Sequence, residues 1–217
     1  MRTKQPLPIP SKRRNAALAK RSTGCSTRMS NFLFHFSEDA HIQTFVPRPV
    51  RTPVHRPKGQ EWLNGPLVWA IDAANSPLYL FPRDCPRIIM SRGSGASHSD
   101  IKKFWTDASK PLVAYVENGW VTEIQTMTLY RYAFERVGFI DLQDVGMHVT
   151  HNEVRPLKVD KIVNLFDELE NAGVEVKILP DLSELKNAWD SSLQVSGIRL
   201  RNAVNWDRKL FWLRPNE

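Results

Sequence analysis

The sequence predicts one α+β domain over residues 32–203, flanked by a basic N-terminal tail (1–31) and a C-terminal extension (204–217). Short apolar or aromatic-rich runs recur along the chain, and helix-period segments fall among them without strict alternation, so a doubly wound parallel sheet is not expected. No Gly-x-Gly-x-x-Gly follows a strand and no Walker A sequence occurs, which removes both common nucleotide fingerprints. The 41% hydrophobic content supplies a core, yet no run approaches the roughly 18 apolar residues of a membrane span.

The elements are taken in chain order. Residues 32–36 (F-L-F-H-F) read as a short aromatic strand. Ser37 ahead of Glu38 and Asp39 predicts one helical turn within 37–45. Residues 46–66 hold five prolines and four Lys or Arg and read as an irregular loop. A buried strand comes next at 67–71, then a short helix within 72–80 capped by Asp72. A strand is expected at 87–91, a Gly/Ser loop at 92–99, a Ser-capped helix from 100, a strand at 112–117 and a helix at 119–126. Alternation predicts a strand at 128–134, and another short strand is read at 147–150. Val159, Ile162, Val163, Phe166 and Leu169 fall on one face of an expected helix, 159–172, stopped by Gly173. The last elements are a strand at 174–179, a helix at 182–193 and a closing segment, 198–203.

Charge is uneven along the chain. The formal net charge is +7, and of 30 Lys and Arg, eight lie within 1–37, where no Asp or Glu occurs. That leaves 22 basic against 23 acidic side chains in the remainder, so the domain itself is nearly neutral. Nucleic acid is therefore expected only through the tail. Three readings of the tail fit its Ser, Arg and Pro content: a solvated arm, a mitochondrial transit segment, and a nuclear signal around Lys12–Arg14 or an incidental extension. Cys25 and Cys85 give neither a disulfide framework nor zinc spacing, so a cytoplasmic compartment is expected, or a mitochondrial one if the tail is a transit segment.

Several side chains suit ligand binding. The stretch V-W-A-I-D-A-A-N-S-P-L-Y-L-F-P-R-D-C-P-R (68–87) holds Asp72, Asn75, Tyr79, Arg83, Asp84 and Arg87, stiffened by three prolines. His35 sits within the first strand, where a histidine either bonds a ligand hydroxyl or is satisfied by backbone. Arg199 and Arg201, two apart in an expected strand, project to one side and call for an anion or a carboxylate between them. Glu153, near Arg155, is either a functional carboxylate or a surface partner of that arginine. His148 and His151 face opposite sides of a strand, so no metal site is expected.

The pieces F-H-F-S-E-D (34–39), V-W-A-I-D (68–72), P-R-D-C-P-R (82–87), T-L-Y-R-Y (128–132) and S-G-I-R-L-R-N-A (196–203) resemble, as a set, a family of small, uncharacterised, mostly bacterial proteins. More distantly, the L-F-H-F-S opening, the V-W-A run followed by a tyrosine, and a late E-V-x-P turn are similar to the ADP-ribosyltransferase superfamily. That resemblance implies a split, strongly bent β-sheet with helices and NAD as substrate. It implies ribose anchoring by His35, nicotinamide stacking by Tyr79, phosphate contact by Arg83 and assistance to transfer by Glu153. The expected function is an NAD-binding, ADP-ribosyltransferase-like enzyme. The alternative is a non-catalytic module that binds a small anionic or nucleotide ligand through Arg83, Arg87, Arg199 and Arg201.

Overall fold

Two sheets stack around the main core. The computed structural model describes residues 31–206 except 52 and 54, so the expectations for the tail and for 207–217 lie outside the described residues. The strands are β1 (Phe32–Ser37), β2 (Val68–Asp72), β3 (Arg87–Ser91), β4 (Leu112–Glu117), β5 (Leu129–Glu135), β6 (Ile140–Asp141), β7 (Met147–Thr150), β8 (Lys158–Ile162), β9 (Val174–Leu179) and β10 (Gln194–Ile198). Three short α-helices join them: α1 (His98–Phe104), α2 (Val121–Thr126) and α3 (Leu165–Asn171). The first sheet runs β6-β7-β2-β1-β5-β8 and the second β10-β3-β4-β9. Every ladder is antiparallel except β4–β9. The chain is thus one α+β domain with few helices.

The alternation of each strand divides its side chains between two faces. Phe34, Ile71, Leu129, Ala133 and Ile162 of the first sheet meet Ile89, Ala114, Val116 and Val174 of the second, closed by Ile124, Leu165 and Leu169 from the helices. On the outer face of the second sheet, Ile88, Met90, Val113 and Tyr115 pack under Phe104, Trp105, Leu182 and Ala188. On the outer face of the first, Leu33, Val68, Ala70, Tyr132 and Phe134 pack with Phe45.

One irregularity positions the site. β1 pairs with β5 along its whole length, from Phe32–Glu135 to Ser37–Tyr130. It pairs with β2 only at Leu33–Asp72 and Phe34–Ile71. On its other edge β2 pairs with β7 from Val68 to Ile71. The two central strands therefore part beyond Phe34 and Ile71, and the first sheet opens between them.

Four expectations need correction. The turn within 37–45 is not helical: Asp39 N donates to Ser37 Oγ (3.1 Å) and His41 N to Asp39 Oδ1 (2.8 Å), and these local side-chain bonds displace a helical ladder. In 72–80 the expected short helix is present as the 3-10 turn Ser76–Tyr79, but Asp72 does not cap it: Asn75 stands at the N-cap, and Asp72 Oδ1 closes the preceding turn by accepting from Asn75 N (2.9 Å). The amphipathic helix 159–172 is instead β8, a left-handed Asn164 (φ 55°) and α3. Ile162 supplies the apolar end of β8 opposite Leu129, and Arg131 meets Asp160 across the ladder at 3.1 Å, while Val159 and Val163 are exposed. Tertiary pairing with the edge of β5 outweighs the helical period. Finally, Arg199 and Arg201 do not lie in a strand: β10 ends at Ile198, Arg199 is left-handed (φ 56°), and Leu200–Asn202 make a 3-10 turn.

Candidate functional site

The opening between β1 and β2 leads into a cavity of about 840 Å³. Its walls come from β1, β2, the proline-rich loop, the 76–87 segment and the turn after β10. Alternate residues of β1 reach it from both faces, because the strand has lost its neighbour there.

His35 bridges the parted strands. Its Nδ1 lies 2.9 Å from Trp69 O. A carbonyl only accepts, so Nδ1 carries the proton and Nε2 offers a lone pair. Burial lowers the His35 pKa, opposed by the Trp69 bond and aided by Arg83, so the ring is neutral at pH 7. Its other close neighbour is the Phe45 ring, 4.9 Å away.

Across β1, the Phe36 ring stacks on Tyr79, with centroids 6.5 Å apart and planes 14° apart. The Tyr79 hydroxyl donates to Met147 Sδ at 3.4 Å, and burial raises its pKa. Beneath this ring lies Arg87, which is 2% exposed. Its Nε donates to Leu78 O (3.1 Å) and Nη1 to Cys85 O (2.9 Å). Its guanidinium stands 5.0 Å from the Phe81 ring centre and 5.9 Å from that of Tyr79. Among the described residues no carboxylate forms an ion pair with it. Burial pulls its pKa down to about 10, so it remains a cation at neutral pH.

Arginines continue along the same wall: Arg48, Arg51, Arg83, Arg199 and Arg201. Arg199 Nε donates to Arg83 O (3.2 Å) and stands 3.7 Å from Asp84 Oδ1. Burial lowers its pKa, and repulsion from Arg201, Arg83 and Arg51 lowers it further against the pull of Asp84. Two carboxylates also reach the cavity, Glu38 and Asp39. Glu38 Oε1 accepts from Arg83 N at 2.9 Å.

The cavity thus brings together His35, Tyr79, Arg83, Arg87, Arg199 and Arg201. Glu153 is exposed and lies elsewhere, in a shallow depression beside Glu135, Val137, Arg155 and Leu157. His148 is buried, and the His151 ring lies tilted against Trp62, with centroids 5.7 Å apart. No cluster of metal-ligating side chains is found among the described residues. Sequence reasoning missed Arg48, Arg51 and Glu38. The signal for the first two was their place in a loop with prolines at 47, 49 and 53, stiff enough to hold a wall. Among the described residues, no helix is long and apolar enough to cross a membrane.

No curated protein and no solved structure matches the chain. A family model does match, over residues 34–203, the span that holds both sheets and the cavity's histidine, tyrosine and arginines. The chain belongs to that family, a family of unknown function designated DUF6886.

Proposed function

We propose that the protein binds a nucleotide-type anion in the cavity between β1 and β2. Arg87 is the observation that carries this reading. A buried cation without a carboxylate is destabilising unless something else supplies the counter-charge. The neighbours of Arg87 include two carbonyls, the Phe81 and Tyr79 rings, the Cys85 thiol and the cation Arg199, and no carboxylate pairs with it among the described residues. An anion seated by Arg83, Arg199 and Arg201 would relieve both the isolation of Arg87 and the repulsion felt by Arg199.

The other walls narrow the class. The lone pair of His35 Nε2 suits a hydroxyl donor such as that of a ribose. The Phe36–Tyr79 stack suits a planar ring. A phosphate, a sugar hydroxyl and a flat base together describe a nucleotide. NAD has all three and is a fitting first substrate or ligand to try, beside ADP-ribose and ADP.

Thermal shift and calorimetry on the full chain test the proposal. NAD, ADP-ribose or ADP should stabilise the protein, and Arg199→Ala should weaken the best of them about 10- to 150-fold, as expected for loss of a charge-assisted bond of roughly 1.5–3 kcal/mol. Absence of binding by any phosphate-bearing nucleotide would overturn it.

ADP-ribosyltransferase-like transfer from NAD is a second reading, favoured by the meeting of His35 and Tyr79 at one cavity. Transfer calls for a carboxylate at the ligand, and Glu38 and Asp39 stand there while Glu153 does not. NAD consumption that falls in Glu38→Gln but not in Glu153→Gln would support this chemistry. No consumption by the wild type would leave binding alone.

A further inference from the structure

Glu117 is a buried carboxylate that plays no part in the cavity, and its environment is unusual. It is the last residue of β4, 2% exposed, and burial raises its pKa despite two hydrogen bonds. Both bonds fall on one oxygen. Oε1 accepts from Val204 N at 2.9 Å and from Leu182 N at 3.3 Å. Val204 lies two residues beyond the 3-10 turn Leu200–Asn202, on the chain that carries Arg199 and Arg201.

That segment has left the sheet. β10 is an edge strand and ends at Ile198, so no ladder fixes the residues beyond it. Contacts to other parts of the chain hold them instead. Arg199 Nε reaches Arg83 O (3.2 Å), Asn202 Nδ2 reaches Asp84 O (2.7 Å), and Asn205 Nδ2 reaches Asp181 Oδ2 (2.7 Å). The apolar side chains Leu200, Ala203 and Trp206 lean on the outer cluster of the second sheet. Of the polar tethers described, the Glu117 bond is the one made by a buried side chain to a backbone N–H of the segment.

We infer that Glu117 is a positioning residue for the anion site, holding the turn that carries Arg199 and Arg201 against the cavity from the far end of β4. The inference rests on the proposal that the cavity binds an anion. Glu117 touches no ligand itself. Its side chain accepts from the buried backbone N–H of Leu182 and the part-buried N–H of Val204, tying the segment to the end of β4. Removing the acceptor releases the turn and with it the spacing of two guanidinium groups. The role requires an oxygen rather than a charge, so an amide should substitute.

Two readouts on the full chain test this. The first is calorimetric titration with ADP and with inorganic pyrophosphate. Glu117→Ala should weaken both about tenfold or more, as expected for loss of about two hydrogen bonds, whereas Glu117→Gln should stay within about twofold of the wild type. The second is amide hydrogen exchange without ligand. Glu117→Ala should lose protection at Val204 and across 199–206 while β3 and β4 keep theirs, and Glu117→Gln should retain protection throughout. Wild-type affinity or unchanged exchange at 199–206 in Glu117→Ala would overturn the inference, as would equal losses in the Gln and Ala variants. If Glu117→Ala does not fold, Glu117→Asp decides, since it keeps the charge but draws the accepting oxygen back from Leu182 N and Val204 N. It should weaken ADP about three- to tenfold and lower protection at Val204, and an unchanged affinity would overturn the inference. If the wild type binds neither probe, the anion proposal fails by itself, and exchange alone decides whether Glu117 holds the segment.

Discussion

His35 and His148 face the same physical problem and solve it differently. Both donate Nδ1–H to a backbone carbonyl at 2.9 Å, that of Trp69 and of Gly146 respectively. His148 is 2% exposed and its Nε2 accepts from Arg136 Nη1 at 2.9 Å, so the ring is satisfied wholly from within the protein. His35 Nε2 has no such partner among the described residues, and the ring faces the cavity. The arginines differ in parallel. Arg136 serves a histidine, while Arg87 serves carbonyls and rings and is left with an unmatched charge. A closed polar pair holds a fold together. An open one, beside an unmatched cation, is what the proposed ligand site would use.

The sharpest way to break this contrast is to delete its two buried groups. Arg87→Ala orphans two buried carbonyls and loses the contacts to Phe81 and Tyr79, so urea unfolding should show a loss of about 3–5 kcal/mol, together with the loss of nucleotide binding. His148→Ala should lower stability by about 2–4 kcal/mol, because it leaves a cavity and strips Arg136 of an acceptor, yet ADP affinity in the folded fraction should be unchanged. His35→Ala should do the reverse. Stability should move by about 1 kcal/mol, while ADP weakens about tenfold and pyrophosphate, which has no hydroxyl-bearing sugar, binds as before. If both histidine variants lose stability alone, the distinction between closed and open pairs is wrong.

Acidification sharpens the same contrast. The folded-state pKa of His35 lies below its ordinary value of 6.5, so the unfolded chain takes up the proton first. Its contribution to stability is therefore complete above 6.5 and is lost as pH falls through the lowered folded value. Protonation also converts Nε2 from acceptor to donor, so nucleotide affinity should fall over the same window, and both trends should flatten in His35→Ala. The smallest effect is expected at Glu153. Its exposed side chain lies outside the cavity, and Glu153→Gln should change neither stability beyond about 0.5 kcal/mol nor ADP affinity.

How far the chain was legible depends on which forces are local. Strands β2 and β4 are compact apolar runs, and each falls within about a residue of its sequence-based bounds. The segment 159–172 misled because Val159, Ile162, Val163, Phe166 and Leu169 satisfy a helical period. What decides the matter is an unpaired edge of β5, which no local window contains. The site was legible in its residue types: His35, Tyr79 and four arginines were all marked by chemistry. Its geometry was not. Nothing local announces that β1 and β2 part after two register pairs, or that Arg199 and Arg201 converge from a turn rather than from a strand face. Glu117 reads in sequence as the end of a β-run, and its partners lie 65 and 87 residues away.

The central claim is that the arginines at the β1–β2 opening, Arg87 and Arg199 foremost, take the phosphate of a nucleotide. Calorimetric titration of the full chain with ADP and with adenosine tests it most directly. ADP should bind at least tenfold more tightly than adenosine, and Arg199→Ala should erase most of that difference, in keeping with a charge-assisted contact of roughly 1.5–3 kcal/mol. Equal affinity for the two, or a preference for ADP that survives Arg199→Ala intact, would contradict it.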